Sequence, residues 1–280
     1  MSKFALCIGI NNYPGTDMDL AGCVNDANDW GAELASRGFS VTTLLDDQAT
    51  KAAMVEGFKA VIGRAVDGDV VAITFSGHGT YVFDTDAGEE SDGFDEALCP
   101  HDINATGDPL IDDEIHALFA AREDGVRLVL ISDSCHSGTV NRDVTNRTTS
   151  AAMPRRRFMP MGNWISAERL LNARLVKPLA IGAMRSGKSA FGDAPDKVGD
   201  VLLAGCEEGE NHFSYDANIM GRANGAFTFY ALKTLRSQPP GANYADWHAA
   251  LTPECLPTIQ YDQTPQIVGG DEARTRPIFS

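Results

Sequence analysis

A chain of 280 residues is long enough to bury a sizeable core in one domain or in two modest ones, and its composition is that of an ordinary globular protein. Its formal net charge of −16 argues against a nucleic-acid partner held through phosphate contacts, which needs a basic face, and is compatible with basic ligands. Its cysteines, Cys7, Cys23, Cys99, Cys135, Cys206 and Cys255, form no CxxC pair, which removes zinc-knuckle and thioredoxin-like readings; several lie in apolar runs, where cysteine acts as a small hydrophobe. With no signal peptide read at the start, the expected compartment is a reducing cytoplasm. The apolar run Phe4 to Ile10 is too short to span a bilayer, and no other run is long enough.

Taken in order, Phe4–Ile10 reads as a buried strand, followed by a turn cluster at Asn11-Asn12-Tyr13-Pro14-Gly15. Leu20 to Arg37 carries Leu20, Val24, Ala27, Trp30, Leu34 and Ala35 near helical period, with Gly38 as a stop. Ser40 to Leu45 is a second strand, and Lys51 to Ala65 a helix with Met54, Phe58, Val61 and Ile62 on one face. The strand after Asp67-Gly68-Asp69 completes a β-α-β-α-β order, the pattern of an α/β fold with a mostly parallel sheet. Tyr81 to Gly107 is long, polar and acidic, and reads as a functional loop with some local structure. Pro109 to Phe119 reads as a helix start, with Asp112, Asp113 and Glu114 at the positive end of the dipole. Asn141 to about Pro178 is basic and largely aperiodic, a linker with a helix expected around Ser166 to Leu175. Strand Asp200–Cys206, helices Phe227–Leu235 and Tyr244–Leu251, and a last strand at Pro265–Gly269 follow, without internal repeats.

Two runs carry the chemistry. Val126 to Ile131 is an apolar strand that breaks into Ser132-Asp133-Ser134-Cys135-His136-Ser137-Gly138, and Val70 to Phe75 breaks into Ser76-Gly77-His78-Gly79. In open α/β sheets, reactive groups collect just past the carboxyl ends of the strands. A histidine and a cysteine at neighbouring strand ends supply a base and a nucleophile: the imidazole takes the thiol proton and later hands it to a leaving amine. The glycines let the backbone turn sharply, and the amides of Gly79 and Cys135 are placed to face a tetrahedral oxyanion. A buried core cysteine and a satisfied loop histidine would each be the simpler reading alone. Their joint occurrence, each past an apolar strand and flanked by serine and glycine, favours the pair. His136 is a rival base, but adjacency to Cys135 points its side chain elsewhere.

Asp133 lies two residues before Cys135 and so on the same side of an extended strand. With Asp26, past the first strand, it would form a recess for a guanidinium or ammonium. On spacing alone, Asp26 reads better as a solvated residue in a helix's first turn. Asp92, Asp95, Glu96, Asp112 and Asp113 make an oxygen-rich cluster that suits calcium, or an exposed acidic loop and a helix N-terminus.

Together these stretches resemble the metacaspases, caspase-like cysteine peptidases. The matching segments are Ala5 to Asn11, Leu20 to Asp26, Phe75 to Gly79, Asp95 through Pro100 to Asp102, Ile111 to Glu114, and Asp133 to Gly138, with Leu202 to Cys206 and Gly225 to Thr228 resembling the small-subunit region. The separation of His78 from Cys135 is near the roughly 50 residues found in caspases. The resemblance implies a three-layer sandwich with a mostly parallel central sheet and helices on both faces. It implies a single peptidase domain over 1–280, divided into a large-subunit-like region 1–140, a basic linker 141–195 and a small-subunit-like region 196–280. It implies cleavage after arginine or lysine, with His78 as base, Cys135 as nucleophile, and Cys23, Asp26, Ser76 and Asp133 lining the pocket for the basic side chain. Asp95, Asp112 and Asp113 fall on calcium-ligand positions; the next falls on Arg142, with Asp143 one residue beyond as a substitute. Arg142, Arg147 and the Arg155-Arg156-Arg157 run become self-cleavage candidates, and the segment holding them is expected to cover the cleft before processing.

The expectation is therefore a cytoplasmic, monomeric cysteine endopeptidase acting on protein or peptide substrates, with calcium as a cofactor and neither nucleic acid nor membrane as partner. The rivals are a non-catalytic module binding a basic partner through its acidic cleft, and a small-molecule hydrolase using the same pair.

Overall fold

The computed structural model describes residues 1–83, 94–135, 154–165, 201–206, 213–254, 257–258 and 261–280. Its frame is a sheet whose inner strands are apolar on both faces. Strands β1 (Lys3–Gly9), β2 (Ser40–Leu45), β3 (Val70–Ser76), β7 (Arg127–Asp133), β9 (Val201–Ala204) and β14 (Gln266–Val268) run in the order β14-β9-β7-β3-β1-β2. All pairings are parallel except that of β14 with β9. Every residue of β3 is buried, as expected of a parallel strand covered on both sides.

The two-residue period of the strands sorts the core into two layers. Leu6, Ile8, Val71, Ile73, Leu128 and Leu130 point to one face, where Met54 and Phe58 of α2 (Lys51–Ile62) and Ile115 and Phe119 of α4 (Asp112–Ala120) cover them. Ala5, Cys7, Val70, Ala72, Val129 and Ile131 point to the other. There they meet Ala27, Trp30 and Leu34 of α1 (Cys23–Ser36), Phe227 and Ala231 of α5 (Ala226–Ser237), and Trp247 of α6 (Tyr244–Glu254). The sheet with helices on both faces is the α/β sandwich expected. Helix α2 starts at Thr50, whose hydroxyl accepts from the Ala53 amide. Helix α4 starts with Asp112, Asp113 and Glu114 in its first turn, and Glu114 reaches back to the Ile111 amide.

Several elements differ from the sequence reading. The stretch expected as a loop from Tyr81 contains β4 (Gly79–Phe83) and β5 (Phe94–Leu98), which pair antiparallel, and the short helix α3 (Ile103–Thr106). Leu110 and Ile111 start no helix; they form β6, paired with β5, and α4 begins one residue later. These strands alternate too little in polarity for the period to be read. Helix α1 begins at Cys23 rather than Leu20, and the last strand is an antiparallel edge. A hairpin of β10 (Tyr215–Ile219) and β11 (Arg222–Gly225) precedes α5; its turn at Met220-Gly221, both with positive φ, has no signal beyond the glycine. A small pair, β12 (Pro257–Thr258) and β13 (Tyr261–Asp262), and the short helix α7 (Asp271–Arg274) complete the chain. Inside the expected linker, residues 154–165 are ordered against the body. Arg155–Arg156 form β8 on the edge of β10, and Met159, Met161 and Trp164 are buried in the core. The helix expected around Ser166 to Leu175 lies outside the described residues.

Candidate active site

Strands β3 and β7 are neighbours in register, with Ser76 opposite Asp133. The residues that follow, Gly77-His78 and Ser134-Cys135, therefore leave adjoining strand tips, and the Gly77 amide donates to the Asp133 carbonyl. A side chain at Gly77 would run into the Tyr13 hydroxyl and the Phe75 ring. That hydroxyl accepts from the His78 amide at 2.8 Å, and the Tyr13 ring lies 4.9 Å from the imidazole. The imidazole is held by its own Nε2, 2.6 Å from the Met18 carbonyl oxygen. A carbonyl only accepts, so Nε2 carries the hydrogen and Nδ1 is the basic nitrogen. Among the described residues, Nδ1 is buried and has no hydrogen-bond partner. Burial pushes the His78 pKa down to about 4, with the Arg157 charge adding to the effect, so the ring is neutral at physiological pH.

Cys135 is fully buried beside Cys206 and Phe213. Its sulfur donates to the Ser214 carbonyl at 3.6 Å, receives the Ser214 amide, and lies 3.6 Å from the Cys206 sulfur. The hydrogen bond with Cys135, reinforced by burial, keeps the Cys206 thiol protonated, its pKa well above the usual value. His136 lies outside the described residues.

The recess beside the pair is filled by the chain's own Arg157. Its side chain is 0% exposed. Nη2 lies 2.6 Å from Asp26 and 3.0 Å from Asp216; Nη1 donates to the Ser76 hydroxyl at 2.6 Å and lies 3.1 Å from the Asp133 carboxylate. Burial opposes the guanidinium charge, but the carboxylates of Asp133, Asp26 and Asp216 outweigh it and hold the Arg157 pKa well above its usual value. The carboxylates are themselves positioned. Asp133 accepts from the Ser214 hydroxyl and from the amide and hydroxyl of Thr228. Asp26 accepts from Asn224 and the Gly225 amide, and Asp216 takes the amides of Ala21 and Gly22 at the start of α1. Burial pushes the Asp26 carboxyl up to about 6 against the pull of Arg157, with Asp133 adding to the rise. Cys23 is buried at the same end of α1, and burial keeps its thiol protonated.

The backbone of Arg157 is held as firmly as its side chain. Its carbonyl oxygen receives the amides of Gly79 at 3.0 Å and Cys135 at 3.1 Å, and its own amide donates to the Ser214 carbonyl at 2.8 Å. Two converging amides on one carbonyl oxygen are the arrangement that stabilises an oxyanion.

The structure thus brings together His78, Gly79, Cys135, Cys23, Asp26, Ser76 and Asp133. Sequence reasoning missed Asp216, Ser214, Asn224 and Thr228. They come from the far half of the chain, and only the β10–β11 hairpin and the start of α5 carry them to the pocket. Arg157 was legible as a self-cleavage candidate but not as the residue that fills the recess. Arg142, Arg147 and Asp143 lie outside the described residues. Of the other calcium candidates, Asp95 and Asp112 are buried near the β5–β6 pair and Asp113 is exposed. Among the described residues, no group of three or more His, Cys, Asp or Glu side chains is gathered for a metal ion. No described helix is long and apolar enough to cross a membrane.

Residues 3–143 match the family profile described as metacaspase, peptidase C14 domain. The chain is 30% identical over 288 residues to metacaspase-1 of Mycosarcoma maydis, covering 94% of this chain and 69% of that protein. It is 41% identical over 148 residues to metacaspase-7 of Arabidopsis thaliana, covering 49% of this chain and 35% of that one. The chain thus spans only about a third of the plant relative's length. Among solved structures, a protein from Geobacter sulfurreducens superposes with a TM-score of 0.71 at 28% identity, covering 100% of this chain and 99% of that one. Caspase-1 from Spodoptera frugiperda superposes with a TM-score of 0.52 at 11% identity over 96% of this chain and 85% of that one, a likeness of fold.

Proposed function

The chain belongs to the metacaspase family, and from that premise we propose that it is a cysteine endopeptidase cutting after arginine or lysine. The observation that carries the reading is the pose of Arg157: a guanidinium enclosed by Asp26, Asp133 and Asp216, joined to a carbonyl held by the Gly79 and Cys135 amides. That is how a substrate's basic residue would sit with its scissile carbonyl ready for attack. Arginine suits the recess better than lysine, because two terminal nitrogens meet acceptors on separate sides.

In this reading, Nδ1 of His78 takes the Cys135 thiol proton, and the thiolate adds to the carbonyl carbon. The carbonyl oxygen becomes an oxyanion under the two amides. The C–N bond breaks, the amine leaves with the proton from His78, and water hydrolyses the thioester to free the acid and the thiol. The occupied recess supports self-processing at the Arg157–Phe158 bond and a covered cleft before it. The enzyme acts as a cytoplasmic monomer on protein or peptide substrates. Calcium stimulation belongs to the same proposal, resting on Asp95, Asp112, Asp113 and Asp143 by family position alone.

Arginine-amide and lysine-amide fluorogenic peptides, with calcium or chelator, test the activity. Wild type releases fluorophore and Cys135→Ala does not. Sequencing of new N-termini after incubation finds chains starting at Phe158 in wild type alone. Absence of turnover on both peptides sinks the peptidase reading, and identical fragments from wild type and Cys135→Ala sink self-processing.

A further inference from the structure

The docked segment also shows what adjoins the arginine recess. Residues Arg155 and Arg156 lie as a strand on the edge of β10, opposite Asp216 and Tyr215, so successive side chains point to opposite sides. Arg157 goes into the recess. Arg156 instead places its guanidinium over the ring of Phe213, with its central carbon 3.9 Å from the ring centroid. Phe213 is 7% exposed, whereas Arg156 is exposed. The Phe213 ring packs with Cys135 and Cys206 and meets the Tyr215 ring edge-on at 6.4 Å. The ring is packed into the body, and the arginine reaches it from the docked segment.

Resting on the peptidase reading, we propose that Phe213 is a specificity-determining residue. It forms a subsite for a second cation, so that the enzyme selects substrates with an arginine immediately before the arginine that is cut. The physical basis is the attraction between a cation and the negative face of an aromatic ring. Among the described residues no carboxylate is paired with Arg156, so this contact differs in kind from those of the recess. The guanidinium stays partly hydrated, which places the effect at the exposed end of the range, about two- to fivefold in kcat/KM. The Arg156 contact and the Arg157 contacts then read one dibasic pair through two different chemistries.

The test compares peptide amides that share arginine at the cut position and carry arginine or citrulline before it. Citrulline keeps the shape and removes the charge. Wild type, Phe213→Leu and Phe213→Tyr are measured after the self-processing incubation. Wild type is expected to favour arginine about two- to fivefold, Phe213→Tyr to keep that ratio, and Phe213→Leu to bring it to about one while still cutting the citrulline peptide. A wild-type ratio near one overturns the proposal. So does a ratio that survives in Phe213→Leu, which would assign the preference to the acidic surface at large. Should Phe213→Leu not fold, the ratios of wild type and Phe213→Tyr decide, since loss of the preference in the tyrosine variant also counts against the ring. Cleavage without discrimination removes this inference and leaves the peptidase reading standing; no cleavage of either peptide removes both.

Discussion

Arg157→Ala isolates the contact on which the site depends. At a separation near 3 Å and an effective dielectric of about 20, each ion pair is worth roughly 5 kcal/mol before desolvation. Arg157 makes such contacts with Asp26, Asp133 and Asp216 at 2.6, 3.1 and 3.0 Å. Desolvation of four buried charges cancels most of that, so the pocket is a weak source of net stability while it is complete. Removing the guanidinium alone is different: it leaves three carboxylates facing one another without a counter-charge. Breaking a buried pair in this way costs about 3–5 kcal/mol, which for a chain of this size lowers Tm by roughly 6–15 °C. The deficit should shrink as the pH falls from about 8 to 5, because a carboxyl that already protonates near 6, as Asp26 does, relieves the repulsion. Benzamidine, whose amidinium presents the same paired N–H groups, should restore part of the Tm in Arg157→Ala and little in wild type. The assay is thermal unfolding against pH and benzamidine. Equal Tm values for the two proteins, with no response to benzamidine, would show that the guanidinium is not held in the recess.

Other consequences follow from single contacts. Asp133→Asn removes one of the charges that grip the guanidinium and should lower kcat/KM on arginine peptides about 10- to 100-fold, the worth of a charged hydrogen bond; unchanged steady-state kinetics would remove Asp133 from the pocket. Gly225→Ala places a methyl against the Asp133 carboxylate and 2.6 Å from Nη1 of Arg157; it should cost about 1–3 kcal/mol by overpacking and lose protection by benzamidine, as read by the urea midpoint and by titration. The low His78 pKa has a pH signature. Below 6.5 the unfolded chain takes up a proton that the folded imidazole refuses until about 4, so stability is full above pH 6.5 and about 3 kcal/mol is lost as the pH falls toward 4. His78→Gln should flatten the urea-midpoint profile in that window; an unaltered profile would place the imidazole in water.

Much of the frame is local information. The apolar runs of β1, β3 and β7 are each long enough to be buried on both faces. Their two-residue alternation and the helical period of α1 and α2 set which side chains meet which layer. The strand-tip residues His78 and Cys135 are legible for the same reason: an apolar run that stops at glycine and serine marks where the sheet ends. Short elements such as β4 to β6 and the β10–β11 hairpin carry too few residues for a period to emerge.

What the amino-acid order determined by itself was the α/β layering, the placing of a histidine and a cysteine at neighbouring strand ends, and the basic character of the run around Arg157. What only the tertiary structure decided was that Arg157 turns inward, that Asp216 arrives from a distant hairpin to join Asp26 and Asp133, and that Phe213 stands beside them. The physical reason is range. Burial and backbone period act over a few neighbours along the chain, whereas a pocket for one guanidinium is closed by charges and rings that are far apart in sequence until the sheet, the hairpin and the basic segment pack together.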